Sequence, residues 1–209
     1  QIGFCDAGND ITIAKYYLHK WEEPCITGEN GSGTIFFTYC NLRCLFCQNY
    51  EISELNKGVN ISVDRFSEIC IELQEMGAAN INLVTPTHFV PLIINGIKKA
   101  RELGLRIPIV YNSSGYENVD TIKMLDGIVD VYLPDFKYYS DEYAIKYSKC
   151  KDYFKYASEA IDEMFKQKGE CIFDKNGNMV EGERRTIGWI NRTNNGPAGD
   201  LTSHNTILA

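Results

Sequence analysis

Three cysteines fall within eight residues, as Cys40-Asn-Leu-Arg-Cys44-Leu-Phe-Cys47, in a chain of 209 residues that holds eight cysteines. The other five, Cys5, Cys25, Cys70, Cys150 and Cys171, stand apart. An even count can signal a disulfide framework in a small secreted domain, but a chain this long needs no staples and these thiols are clustered. Clustered thiols read first as metal ligands. By spacing arithmetic, Cys-x3-Cys-x2-Cys has a chance expectation of roughly 0.01 in such a chain. Three thiolates on one tight loop can hold three corners of a cubane iron–sulfur cluster and leave one iron without a protein ligand. An open coordination position is where a substrate or cofactor binds. Zinc would need a fourth ligand, from His88 or another cysteine, and its pairs favour Cys-x2-Cys over Cys-x3-Cys. Ligand softness favours iron–sulfur, with zinc as the alternative.

Charge and composition exclude other classes. Lys and Arg number 21 against 28 Asp and Glu, a net charge of −7, so no basic field draws the chain to nucleic acid or a membrane surface. No apolar run approaches the ~18 residues that span a bilayer, and no leader precedes the first element, so a cytoplasmic protein is expected. The chain starts at Gln1, which reads as a processed or partial chain. Asn-X-Ser/Thr triplets at Asn60, Asn112 and Asn191 are coincidence without a secretory signal.

Periodicity sets the fold class. Residues 11–21 are read as a short helical stretch among glycines. Runs at 34–39, 81–85, 107–111 and 128–133 read as strands. Between them, helical spacing marks 63–76, capped by Ser62 and stopped at Gly77, and then 90–103 and 119–125. A further helix follows Asp152 as its cap. Strand–helix alternation implies a parallel sheet with right-handed crossovers, so every strand's C-terminal end points the same way. In β/α barrels that end carries the chemistry. After each strand comes an unusual polar cluster: the cysteine loop, Thr85-Pro-Thr-His88, Asn112-Ser-Ser-Gly115 and Pro134-Asp-Phe-Lys137.

These residues resemble a family. Cys40-x3-Cys44-x-Phe46-Cys47 after a first barrel strand resembles the hallmark of the radical S-adenosylmethionine (SAM) superfamily. Tyr16-Tyr-Leu-His-Lys-Trp-Glu-Glu-Pro-Cys25, Ile81-Asn-Leu-Val-Thr-Pro-Thr-His88, Val110-Tyr-Asn-Ser-Ser-Gly-Tyr116 and Tyr132-Leu-Pro-Asp-Phe-Lys137 resemble the PflX-like branch of pyruvate formate-lyase activating proteins. The resemblance implies an α/β partial (β/α)6 barrel and an oxidoreductase with two cofactors, a [4Fe–4S] cluster on Cys40, Cys44 and Cys47, and SAM. It implies reductive cleavage of SAM to a 5′-deoxyadenosyl radical that abstracts hydrogen, as in glycyl-radical-enzyme activating proteins. Its partners would be a flavodoxin- or ferredoxin-like electron donor and, as one option, a protein substrate. A small-molecule substrate, or a non-catalytic iron–sulfur or zinc module, are the rival readings.

By the same resemblance, Phe46 packs near the adenine. Thr85 and Thr87 replace a Gly-Gly-Glu that contacts the methionine amino group, and Asn112 and Ser113 meet the ribose or carboxylate. Asp135 and Lys137 match an Asp-x-Lys near SAM. Each has a plainer reading: Thr87 as the cap of the helix at Val90, Asn-Ser-Ser-Gly as a turn, and Asp135 with Lys137 as a solvated pair. Cys70 reads as core, and Tyr139, Tyr143 and Tyr147 as a packing face. Cys5 and Cys25 are candidates for a second metal site.

The expected organisation is a pre-barrel segment at 1–33, the partial barrel at 34–182 and a poorly ordered tail at 183–209. The tail is rich in Asn, Thr and Gly and offers little apolar area. The barrel is therefore expected to be incomplete at its C-terminus, with an open edge on its fourth strand.

Overall fold

The computed structural model describes residues 7–183 together with the backbone of 186–187; Cys5 and the tail beyond 187 lie outside the described residues. The described strands are β1 (Ile11–His19), β2 (Ser32–Phe37), β3 (Val59–Ile61), β4 (Ile81–Val84), β5 (Ile109–Ser113), β6 (Val131–Phe136), β7 (Ile172–Phe173), β8 (Met179–Glu183) and β9 (Thr186–Ile187). They form one sheet in the order β3-β1-β2-β4-β5-β6-β8-β7, and β9 also pairs with β6. Strands β2, β4, β5 and β6 are parallel neighbours. The helices α3 (Val63–Glu75), α4 (Val90–Glu102) and α5 (Val119–Met124) supply the crossovers between them. The fold is a mixed α/β sheet of the partial-barrel kind, as expected.

Helix α3 starts where Ser62 accepts a hydrogen bond from Arg65 N, 3.0 Å away, and ends against Gly77, whose φ of 88° only glycine adopts freely. Cys70 is fully buried in this helix's core face. Helix α7 (Tyr153–Lys168) follows Asp152, but Asp152 is left-handed and its side chain caps nothing. Of the three tyrosines, Tyr143 and Tyr147 share helix α6 (Asp141–Ser148), whereas Tyr139 precedes it and packs on Phe154.

Two further expectations need correction. Residues 11–21 are not helical: β1 runs antiparallel between β2 and β3. Its pairing slips between Ile13 and Lys15, and that irregularity breaks the period-2 alternation by which a strand is recognised. The edge of β6 is not open either. Val131 and Tyr132 pair with β8, and Asp135 and Phe136 pair with β9. Glu183 thus belongs to the sheet rather than to a tail.

Alternation along the parallel strands sorts their side chains onto two faces. Ile35, Phe37, Ile81, Leu83, Ile109, Tyr111 and Tyr132 join the main core with Phe66, Ile93 and Ile97 of the helices. Their neighbours turn to the concave face. There Val110, Val131 and Leu133 pack with Ile26 and Met179. Ile26 belongs to the single turn α1 (Pro24–Thr27), whose Ile26 carbonyl accepts from Asn80 Nδ2 at 2.6 Å. This turn covers the sheet face opposite helices α3 and α4.

Candidate functional site

The cysteine loop leaves β2 through Tyr39, whose φ of 75° is rare for a side-chain-bearing residue. Backbone bonds fix its path: Tyr39 N donates to Ile52 O, Arg43 N to Ser148 O and Leu45 N to Tyr147 O. Asn41 Nδ2 donates to Tyr116 O at 2.6 Å. Leu42 is the loop's anchor, buried among Tyr138, Ala144, Cys150, Tyr153 and Ala157, with Cys40, Cys44 and Phe46 packed at the margin. Phe46 meets Tyr138 edge-on at 6.5 Å, while Leu45 is exposed. Cys44 accepts from Ser148 Oγ at 2.9 Å, and Ser148 is in turn bonded to the Tyr138 hydroxyl. Cys47 lies 3.3 Å from Ser53 Oγ.

The donor set suits a thiolate-bound cluster. Cys40, Cys44 and Cys47 carry no disulfide and are partly buried. Burial pushes the Cys40 thiol up to about 12, and burial also raises Cys44 against the pull of Ser148 and Lys137. Such thiols stay protonated until a metal replaces the proton. Among the described residues, no three His, Cys, Asp or Glu side chains close on one point. His88 Nε2 lies 2.8 Å from Thr38 O and its ring packs on Phe89 and Tyr39, while its buried Nδ1 has no hydrogen-bond partner.

Below the loop, the concave face carries a column of polar groups. Lys137 Nζ donates to Asp135 Oδ2 at 2.8 Å. Their side chains are 22% and 43% exposed, so this is a half-sheltered pair rather than a solvated one. Burial works against the Lys137 ammonium, but Asp135 outweighs it and raises the Lys137 pKa, and Cys44 and Cys40, as thiolates, act in the same direction. Asp135 lies within β6 itself, one place beyond Pro134, which pairs with Ser113. Asn112, opposite Leu133, points to the same face. Thr85, whose φ of 59° is a genuine outlier for a β-branched residue, donates its N–H to Asn112 O at 2.9 Å.

The partners of Thr85 and Asn112 in their motifs turn the other way. Thr87 does not cap α4, whose first residue follows Phe89 with no side-chain cap; its hydroxyl donates to Glu117 Oε1 at 2.7 Å. Ser113 sits on the helix side of β5 and accepts from Gly115 N at 3.2 Å. The Ser113 and Tyr111 hydroxyls also face Glu117. Glu117 is 3% exposed, and burial pushes it up to about 7. Glu117 and Glu22, described below, are polar residues of this region that sequence reasoning passed over. Cys25 packs beside Ile26, away from the cysteine loop.

Family comparison agrees with this geometry. The model of the Radical SAM superfamily matches residues 34–173, and the chain belongs to that superfamily. The family's cofactors are a [4Fe–4S] cluster and SAM. A curated relative, "Uncharacterized protein MJ0674" of Methanocaldococcus jannaschii, is 34% identical over 161 residues, 73% of this chain and 45% of the relative. The chain therefore spans under half the length of that relative. Two solved structures, "Native anSMEcpe with bound AdoMet" and a histidine-tagged form of the same complex, are each 13% identical. They have TM-scores of 0.47 and 0.46 and cover 71% of this chain and 40% and 39% of theirs. No helix among the described residues is long and apolar enough to cross a membrane.

Proposed function

We propose that this chain binds a [4Fe–4S] cluster through Cys40, Cys44 and Cys47, with SAM at the iron the protein leaves open. It uses them to abstract hydrogen in the manner of glycyl-radical-enzyme activating proteins. The observation that carries the reading is the juxtaposition at one end of the sheet: a pinned loop of three thiols, two of which, Cys40 and Cys44, lie close enough to Lys137 of the Asp135–Lys137 pair to interact electrostatically. When bound and reduced, the cluster supplies the electron that splits SAM into methionine and a 5′-deoxyadenosyl radical. The residues of this chain supply binding, orientation and shelter.

Lys137 offers an ammonium to the methionine carboxylate, and Asp135 holds that ammonium in place. Thr85 and Asn112 present polar groups to the methionine and ribose ends of SAM, their mutual backbone bond fixing the distance between the two loops. Phe46, propped by Tyr138, offers an apolar surface to the adenine. Thr87 and Ser113 serve from behind, through Glu117. The activating-protein subtype rests on the Asp135-Phe-Lys137 motif. The electron donor is proposed to be a flavodoxin- or ferredoxin-like protein, and the substrate a glycine of a partner enzyme.

The test is anaerobic reconstitution followed by dithionite and SAM. The expected outcome is 5′-deoxyadenosine and methionine in equal amounts without added substrate. A fully loaded, reducible cluster that yields neither overturns the enzyme reading in favour of a binding module.

A further inference from the structure

The concave face ends below in a group of hydrogen-bond acceptors that the SAM reading does not use. Glu22 follows β1, just before the turn α1. Its Oε2 accepts from Asn82 Nδ2 at 2.9 Å and from Asn112 Nδ2 at 3.5 Å. Thr27 Oγ1 bonds the carbonyls of Glu22 and Glu23, which fixes the backbone that presents this carboxyl.

Asn82 Oδ1 is one of five buried side-chain atoms left unpartnered among the described residues, and the one that adjoins a carboxyl reaching solvent, Glu22. Asn82 is fully buried, yet its Oδ1 has no hydrogen-bond partner. A buried carbonyl oxygen left unpaired keeps its desolvation penalty, so a native site that holds one invites a donor. Glu22 has no cationic partner among the described residues, only two neutral amides. Burial, with Asp135 and Glu23 adding to it, raises its pKa, the mark of a carboxyl that lacks a counter-charge. The site is reached from the Glu22 side: Glu22, Val84, Asn112 and Asp135 are all partly accessible, while Asn82 behind Glu22 is buried, as are Ile26, Val110 and Val131.

We propose that Glu22 and Asn82 Oδ1 bind the primary ammonium or guanidinium group of the substrate, on the sheet face whose C-terminal end carries the cysteine loop. A cation there gains a charge-assisted bond to Glu22 and satisfies the orphaned Asn82 oxygen. Asn82 lies on β4 two positions before Val84, whose partner in β5 is Asn112, so this site sits below the level assigned to SAM. The bound group therefore anchors the far end of the substrate and leaves its middle facing the cysteine loop. This assignment rests on the radical SAM reading for the identity of the ligand as a substrate, but not for the binding itself.

The experiment uses the full chain, reconstituted anaerobically and left unreduced, so that binding is read separately from SAM cleavage. Calorimetric titration compares n-butylammonium chloride, n-butanol and potassium chloride, and then a short amidated peptide bearing one lysine. The proposal expects n-butylammonium to bind at least tenfold more tightly than n-butanol. It expects Glu22→Gln to lose about tenfold in that affinity with iron content and thermal midpoint unchanged. Tighter binding of the peptide than of n-butylammonium assigns the cation to a protein substrate; equal or weaker binding assigns it to a small molecule. Equal affinity for the amine and the alcohol overturns the proposal in the wild-type protein alone, whatever the variant does. Saturation by potassium that excludes n-butylammonium also overturns it, as does an undiminished affinity in Glu22→Gln. Cation binding without SAM cleavage on later reduction would leave the cation site intact and count against the proposed function instead.

Discussion

The two faces of β4 and β5 carry polar groups at nearly the same height and treat them in opposite ways. On the helix side, Thr87, Ser113, Tyr111 and Glu117 form a knot closed to solvent, with Glu117 buried and Thr87 bonded to it at 2.7 Å, although Tyr111 OH and Glu117 Oε2 lack a well-formed hydrogen bond. On the concave side, Asn112, Asp135, Lys137 and Glu22 are partly open, and the neighbouring Asn82 holds an acceptor that nothing in the described protein fills. Adjacent residues of one motif, Asn112 and Ser113, fall on different sides because side chains alternate along a strand. The knot sets the positions of two loops, and the open column is where the proposed ligands would bind.

The largest effect belongs to the closed side. Glu117 titrates at about 7 in the folded protein against 4.5 when unfolded. The native state therefore holds the proton more tightly, and stability falls as pH rises through that window, by on the order of 3 kcal/mol. Above about 7 the contribution is spent and the curve flattens. Chemical denaturation at a series of pH values measures this, and Glu117→Gln should remove most of the slope. A slope unchanged in the variant would break the contrast, because Glu117 would then behave as an exposed carboxyl.

The next effect is on the open side. Asp135→Ala should weaken SAM binding about tenfold while iron content stays that of the wild type, since the lost bond is charge-assisted and half-sheltered. Equilibrium dialysis with SAM, beside iron analysis, reads both quantities. Equal loss of iron and SAM would place Asp135 with the structural knot.

A smaller effect tests the loop where both sides meet. Ser148 donates to Cys44 Sγ, and a donor to a ligating sulfur stabilises the reduced, more negative cluster. Ser148→Ala should lower the cluster's reduction potential by about 40 mV, the equivalent of one ~1 kcal/mol hydrogen bond in a one-electron couple. Potentiometric titration followed by electron paramagnetic resonance gives the value, and an unmoved potential would mean the serine only packs.

Much of this was legible in the sequence, and the misses have physical causes. The cysteine loop, the parallel strands β2, β4, β5 and β6 and the helices between them follow from local spacing, with Ser62 and Gly77 marking the two ends of α3. Strand β1 was hidden by the slip at Ile13 and Lys15, which leaves a pattern neither helical nor alternating. The partners of β6 were hidden because β8 and β9 are short and their pairing is non-local. Glu22 and Glu117 were passed over because a glutamate's burial is set by tertiary packing, and most glutamates are solvated. The signal that could have found Glu22 is its place at a Glu-Glu-Pro break after a strand. Thr87 looked like a cap because helix and 3-10 turn are indistinguishable at that length.

The central claim is that one loop holds one cluster. Iron and acid-labile sulfide, quantified per chain after anaerobic reconstitution of the wild type and of Cys44→Ala, test it most directly. The account predicts about four of each in the wild type, and loss of the cluster in the variant. Full occupancy in Cys44→Ala would contradict it.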